Sequence, residues 1–328
     1  MSAMIALLAP GQGAQSPGML VPWLELTGAE ARIAAWSQAT GLDLRWLGTT
    51  ASAGEIKDTA VTQPLVVALS LLAAEELARR LDLPTDIPVA GHSVGELAAA
   101  AVAGVLTADE AVALAAVRGQ EMARACALAP TGMSAVLGGD PDDVTSVLAE
   151  LELEVANHNG AGQVVAAGLL DALAALAAHK PAHARVLPLP VAGAFHTRFM
   201  APAEGALAQY ATQLTAKHPA RPLLSNADGG VVDDGTEMLN RLVAQVTRPV
   251  RWDWCMTTLE ALAVSATVEL PPAGTLTGLI KRDMKGTLTL ALKTPADLDK
   301  VAGLIRDHSA MGHYGTERSG VELSETMA

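Results

Sequence analysis

Aromatic residues are scarce in this 328-residue chain: two Phe, two Tyr and five Trp, 3% of the total. Alanine, leucine and valine must therefore fill whatever core it forms. Positive charge is short as well. Lys and Arg number 22 against 35 Asp and Glu, a net charge of −13. That argues against a broad nucleic-acid footprint, which needs clustered cations, and it means that an anionic ligand must be met by a local positive group. Cysteine is nearly absent; Cys126 and Cys255 make no disulfide framework, and a reducing cytoplasm is the expected setting. The amino terminus, "MSAMIALLAPGQG", has no basic leader, and its apolar run is far shorter than the roughly 20 residues of a membrane span. No nucleic-acid or membrane partner is expected.

Half of the residues are hydrophobic and 17% charged. This is the composition of a globular enzyme or binding protein, long enough for one large domain or two smaller ones. "MIALLAP" reads as a strand leading into a glycine-rich turn. "LTGAEARIAAWSQAT" and "VTQPLVVALSLLAAEELARRL" read as helices, the second capped by Thr62 with Pro64 in its first turn. "IPVAGHSVGELAAAAVAGVL" reads as strand, tight turn, helix. "TADEAVALAAVRGQEMARACAL" is another helix, with Thr107 and Glu110 in a capping-box pattern.

Near residue 130 the texture changes to short strands and helices in the order β-α-β-β-α-β, the split βαβ pattern. Residues 128–192 are expected to form a small inserted domain, and residues 1–127 and 193–308 the large α/β domain around it. "PLLSNADG" is expected to be a strand and loop, "EMLNRLVAQVTRPV" a helix, and "ATVELPPAGTLTGLIKR" strand, loop and helix. "TLTLALK" and "PADLDKVAGLIRDH" supply a last strand and helix. Residues 309–328, polar and aperiodic, are expected to be a disordered tail.

Gly91-His92-Ser93-Val94-Gly95 fits a nucleophile elbow, in which a sharp strand-to-helix turn lifts a serine hydroxyl onto a helix amino terminus. The alternative is a small residue packed at a strand–helix corner. A serine nucleophile needs a base. His92 is its neighbour in sequence, but neighbours in a tight turn point apart. His158 is expected in a loop of the insert. His179, His183, His218, His308 and His313 lie in polar or terminal surroundings. His196, in the small-residue stretch "VAGAFHTRFM" where the large domain resumes, is the candidate base. "APGQGAQSPG" fails as a phosphate loop: Ser16 stands where a dinucleotide fingerprint needs glycine, and no Gly-Lys-Ser/Thr follows. Arg118, mid-helix on an apolar stretch, is either snorkelling to solvent or a buried cation for a carboxylate.

Taken in order, "PGQGAQSPGM", "TQPLVVA", "GHSVGELAAA", "RGQEM", "ANHNGAGQVVAAG", "GAFHTRFM", "SNADG", "QVTRPVRW" and "LTGLIKR" resemble the malonyl-CoA:acyl carrier protein transacylase family, and in particular its free-standing members from actinobacterial type II fatty-acid and polyketide synthesis. The resemblance covers about residues 4–305. It implies an α/β-hydrolase-like large domain with an inserted ferredoxin-like domain. It implies ping-pong transfer of malonyl from CoA to the phosphopantetheine thiol of acyl carrier protein, with neither cofactor nor metal. The sequence says little about oligomeric state, and a monomer is the default expectation. Ser93 matches the acyl-carrying serine and His196 its base; the backbone carbonyl of Gln245 matches the group that orients the histidine. The N–H groups of Gln12 and Val94 match an oxyanion hole, Arg118 the partner of the malonate carboxylate, and Asn157 a contact to the CoA or pantetheine arm. Phe195 matches a position where phenylalanine accompanies malonyl and serine methylmalonyl selection. One departure stands out: the family pattern Glu-x-Gly-Pro-Gly is Glu269-Leu270-Pro271-Pro272-Ala273-Gly274 here, and proline in place of the first glycine restricts φ.

Two rivals remain. A hydrolase on the same elbow would hand the acyl group to water. A non-enzymatic scaffold that binds carrier protein would be expected to have lost Ser93, His196 or Arg118, and all three are present. Carrier protein is expected to dock on a local basic patch, for which Lys281, Arg282 and Lys285 are candidates.

Overall fold

The computed structural model describes residues 4–307; the expected tail at 309–328, with His313, and His308 lie outside the described residues. One sheet, of four strands, is all parallel, in the order β2 (Val89–Gly91), β1 (Met4–Ala9), β8 (Val264–Glu269), β9 (Leu288–Ala291). Its centre is apolar on both faces, as a helix-covered parallel sheet requires: Leu7, Leu8 and Val89 are fully buried. Helices α1 (Ala29–Thr40), α2 (Leu44–Thr49), α3 (Thr59–Arg80), α4 (Gly95–Val102) and α5 (Ala108–Cys126) follow the first strands. Helix α3 is long and apolar enough to cross a membrane, but most of it is buried within the protein. It is capped by the Asp58 carboxylate, which accepts the Ala60 N–H, rather than by Thr62. Thr62 sits one turn inside, where its hydroxyl donates to the carbonyls of Ile56 and Asp58. The capping box at Thr107 and Glu110 forms as the spacing predicts.

The insert is a second sheet: β3 (Thr131–Gly138), α6 (Pro141–Glu150), β4 (Glu154–His158), β5 (Gln163–Leu169), α7 (Leu170–Ala178) and β6 (Ala184–Pro188). Its strands run antiparallel in the order β6-β3-β5-β4, the arrangement a split βαβ unit gives. His158 is on strand β4, not in a loop. A fifth strand comes from outside the insert: β7 (Val250–Arg251) pairs in parallel with β4 at Asn157 and His158.

Helices α8 (Ala201–Ala211) and α9 (Gly235–Ala244) cover the carboxy-terminal half. The stretch at 222–229 makes isolated bridges, Val89 to Leu223 and Leu224 to Val231, instead of a strand. The helix expected through Val250 stops at Ala244; a 3-10 turn, Gln245–Thr247, then leads into β7. Helix α10 (Trp252–Ala261), unforeseen in the sequence, forms because Trp252, Cys255, Met256 and Leu259 fill the space beside β1 and β8, so packing overrides weak propensity. After β8, the Leu270 N–H donates to the Leu8 carbonyl, and the Ser70 hydroxyl donates to the Pro271 carbonyl at 2.6 Å. The departing loop is thus tied to the core. Its Glu269 carboxylate accepts the N–H groups of Gly274, Leu276 and Thr277, capping α11 (Thr275–Asp283). Residues 298–307 are helical, as their periodicity predicts.

Candidate active site

Strand β2 ends at Gly91 and α4 starts at Gly95, with three residues between them. A Cβ on Gly91 would stand 2.2 Å from the Gly95 carbonyl, and one on Gly95 would stand 2.2 Å from the Ala9 carbonyl oxygen. The turn is therefore closed to any larger residue at either position. Ser93 between them has φ of 54°. Left-handed geometry at a non-glycine residue costs roughly 1–3 kcal/mol and persists only where the surroundings enforce it. Here the Ser93 N–H is held by Asn226 Oδ1 at 2.8 Å, and Asn226 Nδ2 donates to the Gly91 carbonyl at 2.8 Å.

His196 arrives from the loop after the insert, also left-handed with φ of 61°, its N–H donating to the Val246 carbonyl. Its Nε2 lies 2.7 Å from Ser93 Oγ, and its Nδ1 lies 2.8 Å from the Gln245 carbonyl oxygen. A carbonyl only accepts, so Nδ1 carries the proton and Nε2 accepts from the serine hydroxyl. Burial, with the charge of Arg118 adding to it, lowers the imidazole to about 3, so the ring is neutral at ordinary pH.

Arg118 on α5 is 2% exposed, so the snorkelling alternative does not hold. Its Nη1 donates to Gln63 Oε1 at 2.7 Å and its Nη2 to Gln245 Oε1 at 2.9 Å; Nη2 is also 3.4 Å from Ser93 Oγ. Burial lowers its pKa to about 10, leaving it charged at neutral pH. These partners are neutral, so among the described residues a buried cation faces Ser93 Oγ with no carboxylate touching it.

Ser93, His196 and Arg118 open onto a cleft of about 510 Å³ between the two sheets. Gln12 lines it; Gln12 Nε2 donates to Thr59 Oγ1 while its Oε1 is buried without a partner. Among the described residues, the backbone N–H groups of Gln12 and Val94 engage no acceptor. Asn157, 6% exposed on β4, and Phe195, 6% exposed, line the same cleft. Arg282 reaches its mouth and donates to Gln163 Oε1, whereas Lys281 and Lys285 are exposed beside it. His92 points away from the hydroxyl: its Nε2 pairs with Asn159 Oδ1 at 2.9 Å and its ring meets Trp252 edge-on. His179, His183 and His218 are exposed.

Three site residues were not singled out from the sequence. Gln63 and Asn226 position Arg118 and Ser93, and Glu96 is buried behind both. A signal for Glu96 was present: it is a lone carboxylate in the apolar helix Gly-Glu-Leu-Ala-Ala-Ala-Ala-Val.

The family model described as "Acyl transferase domain" matches residues 7–325. A malonyl CoA-acyl carrier protein transacylase of Mycobacterium tuberculosis is 60% identical over 302 residues, 92% of this chain and all of that protein. The enzyme of that name from Escherichia coli K12 is 34% identical over 303 residues, 89% of this chain and 96% of its own. Among solved structures, MCAT from Mycobacterium tuberculosis superposes with a TM-score of 0.89, at 60% identity, over 91% of this chain and 99% of that one. A type II PKS acyl-carrier protein in complex with its malonyl-transacylase matches with a TM-score of 0.85, at 30% identity, over 92% and 99% of the two chains.

Proposed function

The chain belongs to the acyl transferase domain family and acts as a malonyl-CoA:acyl carrier protein transacylase; we propose that it does so through Ser93, His196 and Arg118. The observation that carries the assignment is the 2.7 Å pair of Ser93 Oγ and neutral His196 Nε2 with a buried guanidinium 3.4 Å from the same hydroxyl. As Ser93 Oγ attacks the thioester carbonyl, its proton passes to His196 Nε2. The Gln245 carbonyl, bonded to Nδ1–H, steadies the imidazolium that forms. The tetrahedral oxygen takes the N–H groups of Gln12 and Val94. Collapse breaks the C–S bond, His196 returns the proton to the CoA thiolate, and malonyl-Ser93 remains. In the second half the pantetheine thiol gives its proton to His196 and attacks the ester carbonyl; collapse breaks the bond to Ser93 Oγ, and His196 returns the proton to that oxygen.

Arg118 meets the free carboxylate of the malonyl group bidentately, trading a neutral amide partner for an anion. Phe195 stands where a substituent on the malonyl α-carbon would fall, and Asn157 meets the pantetheine arm. No step calls for a metal or organic cofactor. The hydrolase reading, in which water replaces the carrier thiol, is not favoured, since the relatives named above are transacylases.

The same proposal extends to a monomer working in the cytoplasm without nucleic-acid or membrane partners, to supply of polyketide as well as fatty-acid carriers, and to residues 128–192 as an inserted domain. The test is intact-mass analysis after mixing with malonyl-CoA, then with holo carrier protein. A malonyl adduct on Ser93 that moves to carrier faster than to water is expected; an adduct elsewhere, or release to water alone, would refute it.

A further inference from the structure

Glu96 takes no part in the reaction just written, yet it is 1% exposed directly behind the reacting pair. One carboxylate oxygen accepts the Asn226 backbone N–H; the other accepts from Gln245 Nε2. These two partners reach opposite halves of the site. Asn226 Oδ1 holds the N–H of Ser93. Gln245 carries the carbonyl that fixes His196 Nδ1, and its side-chain Oε1 faces Arg118. A carboxamide has one accepting and one donating end, so anchoring Nε2 on Glu96 is what turns Oε1 toward the guanidinium.

We propose that Glu96 is a positioning residue for acyl transfer: as an acceptor-only group it fixes the donor–acceptor sense of Gln245 and the seat of Asn226, and through them aligns Ser93, His196 and Arg118. The inference rests on the transacylase reading above. The geometry demands an acceptor at both oxygens, because both neighbours are N–H donors. Burial opposes the ionised form and pushes the carboxyl up to about 8, outweighing the downward pull of the Asn226 N–H, Arg118, the Ser225 hydroxyl and Arg241, so it is the N–H donors placed at both oxygens that favour the acceptor-only form, complete above that pH. A glutamine of the same shape can accept from only one neighbour. Its NH2 would meet a donor, and the Gln245 amide would have to turn its own NH2 toward Arg118.

The experiment compares wild type, Glu96→Gln and Glu96→Gln/Gln245→Glu. In the double variant the new glutamine accepts from Asn226 and donates to the new carboxylate, whose other oxygen accepts from Arg118, so the network closes again. Two readouts are used: single-turnover malonylation, and labelling of Ser93 by a neutral fluorophosphonate, which makes no demand on Arg118. Glu96→Gln is expected to slow both, by roughly 10–100-fold. The double variant is expected to regain most of the labelling rate but not malonylation, because Arg118 is now paired internally. Wild-type rates in Glu96→Gln overturn the proposal, as does a double variant that labels no faster than the single one. If Glu96→Gln does not fold, the double variant decides alone: folding with recovered labelling supports the proposal, and misfolding or slow labelling overturns it. Absence of a malonyl adduct in wild type would instead refute the transacylase reading, and it is seen before any variant is compared.

Discussion

The two walls of the cleft are built differently. On the elbow side, Arg118, His196, Gln245, Glu96 and Asn226 are each 6% exposed or less and are joined to one another and to Ser93 by direct hydrogen bonds. On the inserted side, Asn157, Asn159 and Gln163 face the cleft from a small antiparallel sheet. Away from the β7–β4 pairing, the polar contacts that tie that sheet to the rest of the described residues are His92 to Asn159 at 2.9 Å, Arg282 to Gln163 at 3.2 Å, the Ala161 N–H to Asp283 at 2.7 Å, the Ala194 N–H to Thr131 Oγ1 at 3.1 Å and the Arg198–Glu154 ion pair, and none of them involves Ser93, His196 or Arg118. Bond making needs atoms held within fractions of an ångström, which only an over-determined network provides. Binding a long, flexible thioester arm tolerates a wall whose contacts do not reach those atoms.

If the elbow wall holds the chemistry, its variants should lose rate and those across the cleft should shift selection or affinity. The largest loss is expected for Ser93→Ala, which removes the hydroxyl proposed to carry the acyl group. Intact mass should show no malonyl adduct, and transfer should fall about 10⁴-fold or more. Adduct at full yield would place the nucleophile elsewhere.

Arg118→Ala should follow. Losing one member of a desolvated charge pair costs on the order of 2–5 kcal/mol, so malonyl transfer should drop about 10²- to 10³-fold while acetyl transfer holds or rises. Equal losses for both acyl groups would give Arg118 a structural role. Lysine should rescue poorly, since it lacks the planar fork.

Phe195→Ser should act on choice rather than rate. A methyl group is worth roughly 1–3 kcal/mol in a fitted pocket, so competition between malonyl-CoA and methylmalonyl-CoA for the enzyme should move toward methylmalonyl by up to about 100-fold. An unchanged ratio would mean that the ring only packs the loop. Charge reversal at Lys281 and Lys285, exposed to either side of Arg282 in the sequence, should have the smallest effect. A several-fold rise in the KM for carrier protein at low salt is expected, with that for malonyl-CoA unchanged.

The pH response sharpens the same contrast. The His196 pKa is lowered to about 3, chiefly by burial, while an unfolded chain takes up that proton near 6.5. The unfolded state therefore binds more protons below about 6.5, and this group subtracts stability as pH falls from there toward 3. The catalytic base itself should stay neutral. Imidazole NMR should show an unprotonated Nε2 on His196 at pH 5, and a protonated ring there would refute it.

The local pieces were legible in the order of the residues. Glycines at 91 and 95 around a serine, after an apolar strand and before an apolar helix, specify the elbow, because only glycine fits that turn. The alternation of strands and helices specified the four-stranded insert, and Thr107 with Glu110 specified where α5 starts. These features depend on neighbours a few residues apart, whose φ, ψ and burial are coupled through the backbone. The rest was settled when distant segments met. His196 stands 103 residues from Ser93, and nothing local in "GAFHTRFM" states which hydroxyl it will meet. Whether Arg118 snorkels or stays buried depended on Gln63 and Gln245 arriving from 55 and 127 residues away to satisfy its guanidinium. Strand β7 joined the inserted sheet, α10 formed on the strength of its packing, and Glu96 became the acceptor behind the site because Asn226 and Gln245 brought two donors to it. Such matches are set when distant segments exclude water together, since a buried donor or acceptor is tolerated only where its partner also arrives.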